Sequence, residues 1–358
     1  MTSLNLPRQY LERPFTVNEG LAAGLTVSAL RNPLLHRETR SVRSLGPPDD
    51  LQGRARAFAA ALPSDVAFSH IASARLLGLP LPSRILDSAI HVMRSSDRTR
   101  IRRTGCRGHR GLETRGVEIV KGLRVVHGPD TWCDLGDMLP SLLTVDDLVV
   151  IGDAILTRLG EEPSVLASVL ESRVRPRGRN MLTEALGLIR AGARSPMESL
   201  TRLMFVRAGF PEPSLNTSVL DTDGGWLLTG DLVWKKKRVV AEYQGATHAP
   251  IRQRSHDADR TAMAVDDGVR MFEVFAEDVF DPRRRTRLLT RMAKALGLDP
   301  GRLRIACGGA SGTRAVVGVG LVVEESRHAG SHRVCATDGD PSMPASSHHP
   351  ATGHPRRV

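Results

Sequence analysis

Between Thr144 and Leu159 apolar residues fall near helical spacing, with Val145, Leu148, Val149 and Ile155 on one side, which predicts an amphipathic helix. Upstream, Thr16-Val17-Asn18-Glu19 has the spacing of a capping box. Gly24 would end the short helix it starts, and Thr26 would cap a second. The extended Arg40-Ser41-Val42-Arg43 follows, so residues 16–43 read as a helix-turn-helix with a wing. Pro33 falls inside the second helix and should stop or kink it. Ser69 caps a helix through Leu77 that Gly78 closes. Ala89 to Met93 and Leu123 to His127 read as short strands flanking an arginine-rich loop, 94–110. Arg173 to Arg179, with Pro176 and Gly178, reads as a basic linker, which puts a domain boundary near residue 180.

The second half opens on Ser195-Pro196-Met197-Glu198, where serine caps, proline takes the first helical position and glutamate stands three beyond the cap. The helix should run to Ala208 and end at Gly209. Strand-like Leu215 to Leu220, Trp226 to Trp234 and Arg238 to Gln244 come next, joined by an Asp223-Gly224 turn and a Lys235-Lys236-Lys237 turn. A helix from about Arg252 to Asp267, a strand Val269 to Ala276 and a last helix to about Leu296 complete an α/β unit. From Gly308 onward the texture turns to Gly, Ser, Pro and His, and 301–358 reads as a disordered tail.

Length and composition fit this division. At ~150 residues per domain, 358 residues suit two domains with cores of their own. The longest apolar run of the tail, Ala315 to Val323, has nine residues against the ~20 needed to cross a bilayer. No apolar leader opens the chain, so a cytoplasmic location and no membrane partner are expected. Cys106, Cys133, Cys307 and Cys335 form no C-x-x-C pair, which suits reduced thiols; Cys106 and His109 share one basic loop and are a candidate metal pair. Net charge is +11, and residues 84–115 alone hold nine Arg against three acidic residues. The first half therefore carries a basic face suited to an anionic partner, nucleic acid first and DNA ahead of RNA. Its candidate contacts are Arg40, Arg43, Arg98, Arg100, Arg102 and Arg103, joined by Lys235, Lys236 and Lys237 in the second half. A codon bias toward arginine, which makes up 45 of the 50 basic residues, is the plainer source of the charge.

Candidate chemistry lies in the second half. Strand alternation puts Glu242 and Gln244 on one face, and the tri-lysine turn brings Asp231 near Glu242 across the ladder. Two carboxylates approaching one point, with Glu198 adding a third from the neighbouring helix, is how a hydrolytic Mg²⁺ or Mn²⁺ site is built. Plainer roles exist for each residue. Glu198 completes a helix cap, His248 begins a loop, Asp259 and Arg260 anchor a helix, Lys235 to Lys237 form a solvated tip, and Trp226 and Trp234 share strand parity and pack in the core. Asp231 inside an apolar strand is harder to assign to structure, because an unpaired buried carboxylate is costly.

The segments S-P-M-E-S (195–199), A-G-F-P-E-P (208–213), G-D-L-V-W (230–234), V-A-E-Y-Q-G-x-x-H (240–248) and D-A-D-R (257–260) resemble an actinobacterial domain grouped with the very-short-patch-repair endonucleases of the PD-(D/E)XK superfamily. S-H-I-A-S-A-R-L-L-G-L-P-L-P (69–82) and T-W-C-D-L (131–135) resemble, more weakly, the winged-helix region of AbiEi-type antitoxins. The resemblance implies a winged-helix-like α+β region over 1–180 and a restriction-endonuclease-like α/β domain with a small mixed sheet over 181–300. It implies metal-binding acids at Glu198, Asp231 and Glu242, catalytic roles for Asp231, Glu242, Gln244 and His248, and Gln244 where the superfamily usually has lysine. A neutral amide can only hydrogen-bond where a lysine would stabilise charge on the phosphate. Three functions therefore stay open: a metal-dependent endodeoxyribonuclease, a catalytically silent, antitoxin-like DNA-binding regulator, and a toxin-partner protein with no nucleic-acid role.

Overall fold

The computed structural model describes residues 4–86, 88–245 and 262–305. It is a mixed α/β structure with three sheets. Strand β1 (Phe15–Thr16) leads into helix α1 (Val17–Ala22), and the capping box forms as expected: Glu19 N–H donates to Thr16 Oγ1 at 3.1 Å, and Thr16 N–H to Glu19 Oε2 at 2.7 Å. Thr26 does accept the Ala29 N–H, yet only one 3₁₀ turn, Ala29–Arg31, follows before Asn32 and Pro33 turn the chain out. Strands β2 (Leu35–His36) and β3 (Val42–Leu45) close a small sheet of order β1-β3-β2.

Helix α2 (Leu51–Ala59) precedes β4 (Ala67–Phe68), α3 (His70–Leu76) and β5 (Ile90–Arg94). The arginine-rich stretch expected as a loop holds two strands, β6 (Arg102–Arg103) and β7 (Cys106–Arg110). β6 and β7 form an antiparallel hairpin over Thr104-Gly105, with Gly105 at φ +77°, and β7 also runs parallel to β5, a pairing that no hairpin turn signals. With β8 (Val117–Val120) and β9 (Leu123–Val126) they form a six-stranded sheet of order β6-β7-β5-β4-β9-β8. Helices α4 (Gly128–Asp134), α5 (Val145–Leu159), α6 (Ser164–Ser172) and α7 (Arg179–Leu188) follow the sheet in the chain. The core they share includes Phe68, Ile71, Val125, Trp132, Leu148 and Ile151 and runs on through Leu182, Ala185, Ile189 and Leu203. Arg173, expected in a solvated linker, is buried instead: its guanidinium pairs with Asp130 and stands 3.8 Å from Asp134.

Helix α8 (Pro196–Arg207) opens the second half of the chain, with Ser195 Oγ accepting the Glu198 N–H at 3.1 Å. Strands β10 (Ser214–Leu220), β11 (Trp226–Trp234), β12 (Val239–Tyr243) and β13 (Arg270–Val274) make a sheet in that order, antiparallel up to β12 and parallel between β12 and β13. Leu232, Trp234, Val239 and Ala241 pack with residues of α8 and of the helix Pro282–Leu296. Val233 and Val240 pack with Ala264 and Val269. Trp234 is buried, but Trp226, expected beside it in the core, is 51% exposed: it pairs with Leu220 after a register shift at the end of the strand. Leu303 and Ile305, placed in the tail by the sequence, pack against this core, and Arg304 N–H donates to Ala208 O at 3.0 Å. The rest of the tail, 306–358, lies outside the described residues.

Asp153 of α5 joins the two halves. It is fully buried and accepts from Ser199 Oγ at 2.7 Å, Arg202 at 3.2 Å and Arg190 N–H at 2.7 Å. Arg202, equally buried, also donates to Glu212 at 2.8 Å and Leu188 O at 2.7 Å. Among the described residues no helix is long and apolar enough to cross a membrane.

Candidate functional site

The register of the four-stranded sheet sets the acids in a row. Leu232 pairs with Ala241, so Asp231 and Glu242 come one step further along the same ladder, and Glu242 pairs with Glu273 across the parallel β12–β13 edge. On the other side of Asp231, Asn216 lies between Leu215 and Thr217, which face Leu232 and Gly230. Asn216 has φ +44°, a left-handed conformation inside a strand that strains a residue with a Cβ. Its amide donates to Glu198 Oε2 at 2.7 Å and to Gly192 O at 2.8 Å, which holds the helix acid beside the row.

Glu198 is 7% exposed. Its carboxylate accepts the Arg194 N–H at 2.9 Å, so it caps the chain one residue upstream of the box that the sequence implied. Asp231 is half-buried, and its Oδ2 accepts the Tyr243 N–H at 2.9 Å, in the place a strand carbonyl would take. Burial pushes the Asp231 carboxyl up; the Tyr243 N–H pulls it down, the neighbouring Glu198 charge pushes it up again, and Arg194 draws it down. Among the described residues no basic side chain comes within 4.0 Å of Glu198 or Asp231.

Gln244 is half-buried and its N–H donates to Val274 O at 2.8 Å. The exposed Lys235, Lys236 and Lys237 occupy a 3₁₀ turn at the far end of the hairpin. From Val239 to Gln244 is roughly 17 Å at ~3.3 Å per residue, so the tri-lysine turn does not stand in for the missing lysine. His248, Asp259 and Arg260 lie outside the described residues.

The expected basic face divides into two kinds of arginine. Arg43 donates from Nε to Leu30 O and from a terminal nitrogen to Val42 O, both at 2.8 Å, and Arg103 donates to Arg40 O at 2.6 Å and Thr39 Oγ1 at 3.2 Å. Both hold the small N-terminal sheet in place. Arg40, Arg98, Arg100 and Arg102 are exposed. Arg100, Arg102 and Arg110 line an open cleft of about 390 Å³ with Thr99, and Arg102 faces Arg107 across β6–β7. Like charges opposed on neighbouring strands are destabilising unless an anion lies between them.

A further constellation joins no sequence motif. His70, His91 and His109 bring ligand nitrogens to within 4.8 Å of one another, and this buried cluster can hold a divalent metal ion. Among the described residues it is the group of three or more His, Cys, Asp or Glu donors that closes to this distance; Glu198, Asp231 and Glu242 do not. His70 and His91 are buried and His109 is half-buried. Burial, then His70 and His91, push His109 down to about 2, so it is a neutral imidazole at pH 7. Cys106, paired with His109 in the sequence reading, is not a member: three residues away on one strand it points to the opposite face, and burial pushes its thiol up to about 11.

No protein-family model, curated protein or solved structure matches this chain. Geometry alone therefore carries the site. Strand parity and a cap put Glu198, Asp231 and Glu242 forward in the sequence, and the basic loop put His109 forward with the wrong partner, Cys106; Asn216, His70 and His91 were not among its candidates. Asn216 gives no local signal, since only its left-handed backbone turns its amide toward Glu198. The histidines stand 21 and 18 residues apart in the chain, and only the pairing of β5 with β7 and the packing of α3 join them.

Proposed function

We propose that this chain is a DNA-binding protein whose second half is a restriction-endonuclease-like domain that hydrolyses phosphodiesters with Mg²⁺ or Mn²⁺. The observation that carries the reading is the pair of buried Glu198 and half-buried Asp231, where the Glu198 charge pushes the Asp231 carboxyl up and neither acid has a basic partner within 4.0 Å among the described residues. Such a pair is costly unless a cation shares the site. All the donors are oxygens, which suits a hard ion that keeps several waters and needs only one or two carboxylates. The metal would supply Lewis acidity and an activated water. Asn216 orients Glu198, the Tyr243 N–H fixes Asp231, and Glu242 stands next along the row. The arginine cleft of the six-stranded sheet is the candidate contact to the phosphate backbone, and the N-terminal helix, turn and strands the winged-helix-like part.

Plasmid nicking in Mg²⁺ or Mn²⁺ tests the reading: wild-type protein is expected to nick, and Asp231→Ala to lose it. Equal cleavage by both, or none by either, removes the enzyme. A silent, antitoxin-like regulator is favoured by one observation, Gln244 in the lysine position, and stands if the protein shifts duplex DNA with steep salt dependence but never cuts it. In either case Arg100→Ala and Arg102→Ala are each expected to lower the slope of log K against log salt by about one, read by fluorescence anisotropy of a labelled duplex. Arg103→Ala should instead lower the unfolding midpoint, because its guanidinium binds backbone carbonyls.

A further inference from the structure

Three imidazoles meet at the six-stranded sheet, close enough to share an ion. His91 on β5 and His109 on β7 are diagonal neighbours on one face, because His91 pairs with Arg107, two residues before His109. His109 Nε2 stands 3.2 Å from His91 Nδ1. At that distance one ring N–H donates to the nitrogen of the other; two nitrogens held at 2.0–2.1 Å from one tetrahedral ion are about 3.3–3.4 Å apart, so the same separation suits a shared ion that takes the place of that proton. His70 completes the set from the first position of α3, its ring stacked on His109 with centroids 3.7 Å apart. Its Nδ1 lies 3.1 Å from Ser69 Oγ, and with Nδ1 as donor the lone pair is left on Nε2, the tautomer a metal-binding imidazole takes when its other nitrogen is hydrogen-bonded. Asp137 Oδ2, 3.9 Å from Nε2, brings negative charge to the rim.

Two further features need a cause. Ser69 is the N-cap residue of α3, yet its side chain makes no capping bond and meets the His70 ring instead. His70 has φ +51° while only 2% exposed, a left-handed backbone that places its ring among the other two. Strain of this kind persists where the surrounding structure fixes it, and it clusters at binding sites. Three packed imidazoles with no carboxylate at the centre suit a borderline transition metal and not Mg²⁺, which prefers oxygen.

We propose that His70, His91 and His109 form a binding site for one Zn²⁺-class transition-metal ion, which ties the start of α3 to β5 and β7. The site lies in the six-stranded sheet, away from Glu198, Asp231 and Glu242, and does not depend on the nuclease reading. Because β7 also carries Arg107 and Arg110, the ion would fix the strand that lines the arginine cleft.

Full-length protein stripped with chelator and titrated with Co²⁺ tests it. The expected result is one equivalent of Co²⁺ with visible ligand-field bands, displaced by Zn²⁺, and an unfolding midpoint raised by Zn²⁺ and not by equal Mg²⁺. His91→Gln and His109→Gln should each weaken Co²⁺ binding at least 100-fold, whereas Asp231→Ala should leave the bands in place whatever it does to nicking. Survival of the bands in both histidine variants would assign the metal to other donors, such as the five histidines of the tail, and overturn the proposal. Should a variant not fold, Cu²⁺ and ascorbate on wild-type protein give the same decision by mass mapping. Oxidation on the peptides of His70, His91 and His109 supports the site, and oxidation confined to tail peptides refutes it.

Discussion

Asp153→Ala is expected to lower the unfolding free energy by about 3–5 kcal/mol, measured by urea denaturation, because it takes the fully buried one of two carboxylates from a buried guanidinium and orphans two further donors. Arg202 is fully buried, and its remaining acceptors, Glu212 and Leu188 O, serve only part of its donors. The same change strips the acceptor from Ser199 Oγ and from the Arg190 N–H. Replacing both partners with apolar residues, Asp153→Leu with Arg202→Met, should recover much of the loss, since it removes the charges instead of orphaning one. A loss below about 1 kcal/mol for the single variant would mean that water reaches the pair.

Trp132→Ala should cost a similar amount, about 3–5 kcal/mol, and show in the same denaturation curve. Trp132 lies in the six-residue run of buried side chains from Pro129 to Asp134, and its Nε1 donates to Leu148 O at 2.9 Å, which clamps α4 to α5. Thr131 beside it donates to Val126 O at 2.9 Å and meets Ser73 Oγ at 2.7 Å. Asp134 accepts from Arg115 at 2.8 Å. The segment 131–135 that carried part of the family resemblance is thus a packing helix, and Trp132→Phe, which keeps the ring but loses the donor, should fall between wild type and alanine.

Local chemistry was legible in this sequence and long-range pairing was not. The bounds of β11 and the caps at Thr16 and Ser195 follow from turn residues and hydroxyl side chains a few positions away, and the structure has them where the pattern puts them. The Asp231–Glu242 relation was legible because a short turn fixes hairpin register. By contrast β7, the burial of Arg173 and the histidine cluster depend on partners 16 to 43 residues distant in the chain, for which the residues themselves give no sign. Trp226 failed for a related reason: strand parity assigns a face but does not say where the covering layer ends.

The bond from the Tyr243 N–H to Asp231 has an evolutionary reach. Asparagine could accept that N–H through its amide oxygen, and a single base change turns an aspartate codon into an asparagine one. On the proposed nuclease reading, a cutting form and a form that only binds stand one mutational step apart, with backbones that superimpose and a difference of one atom type at position 231.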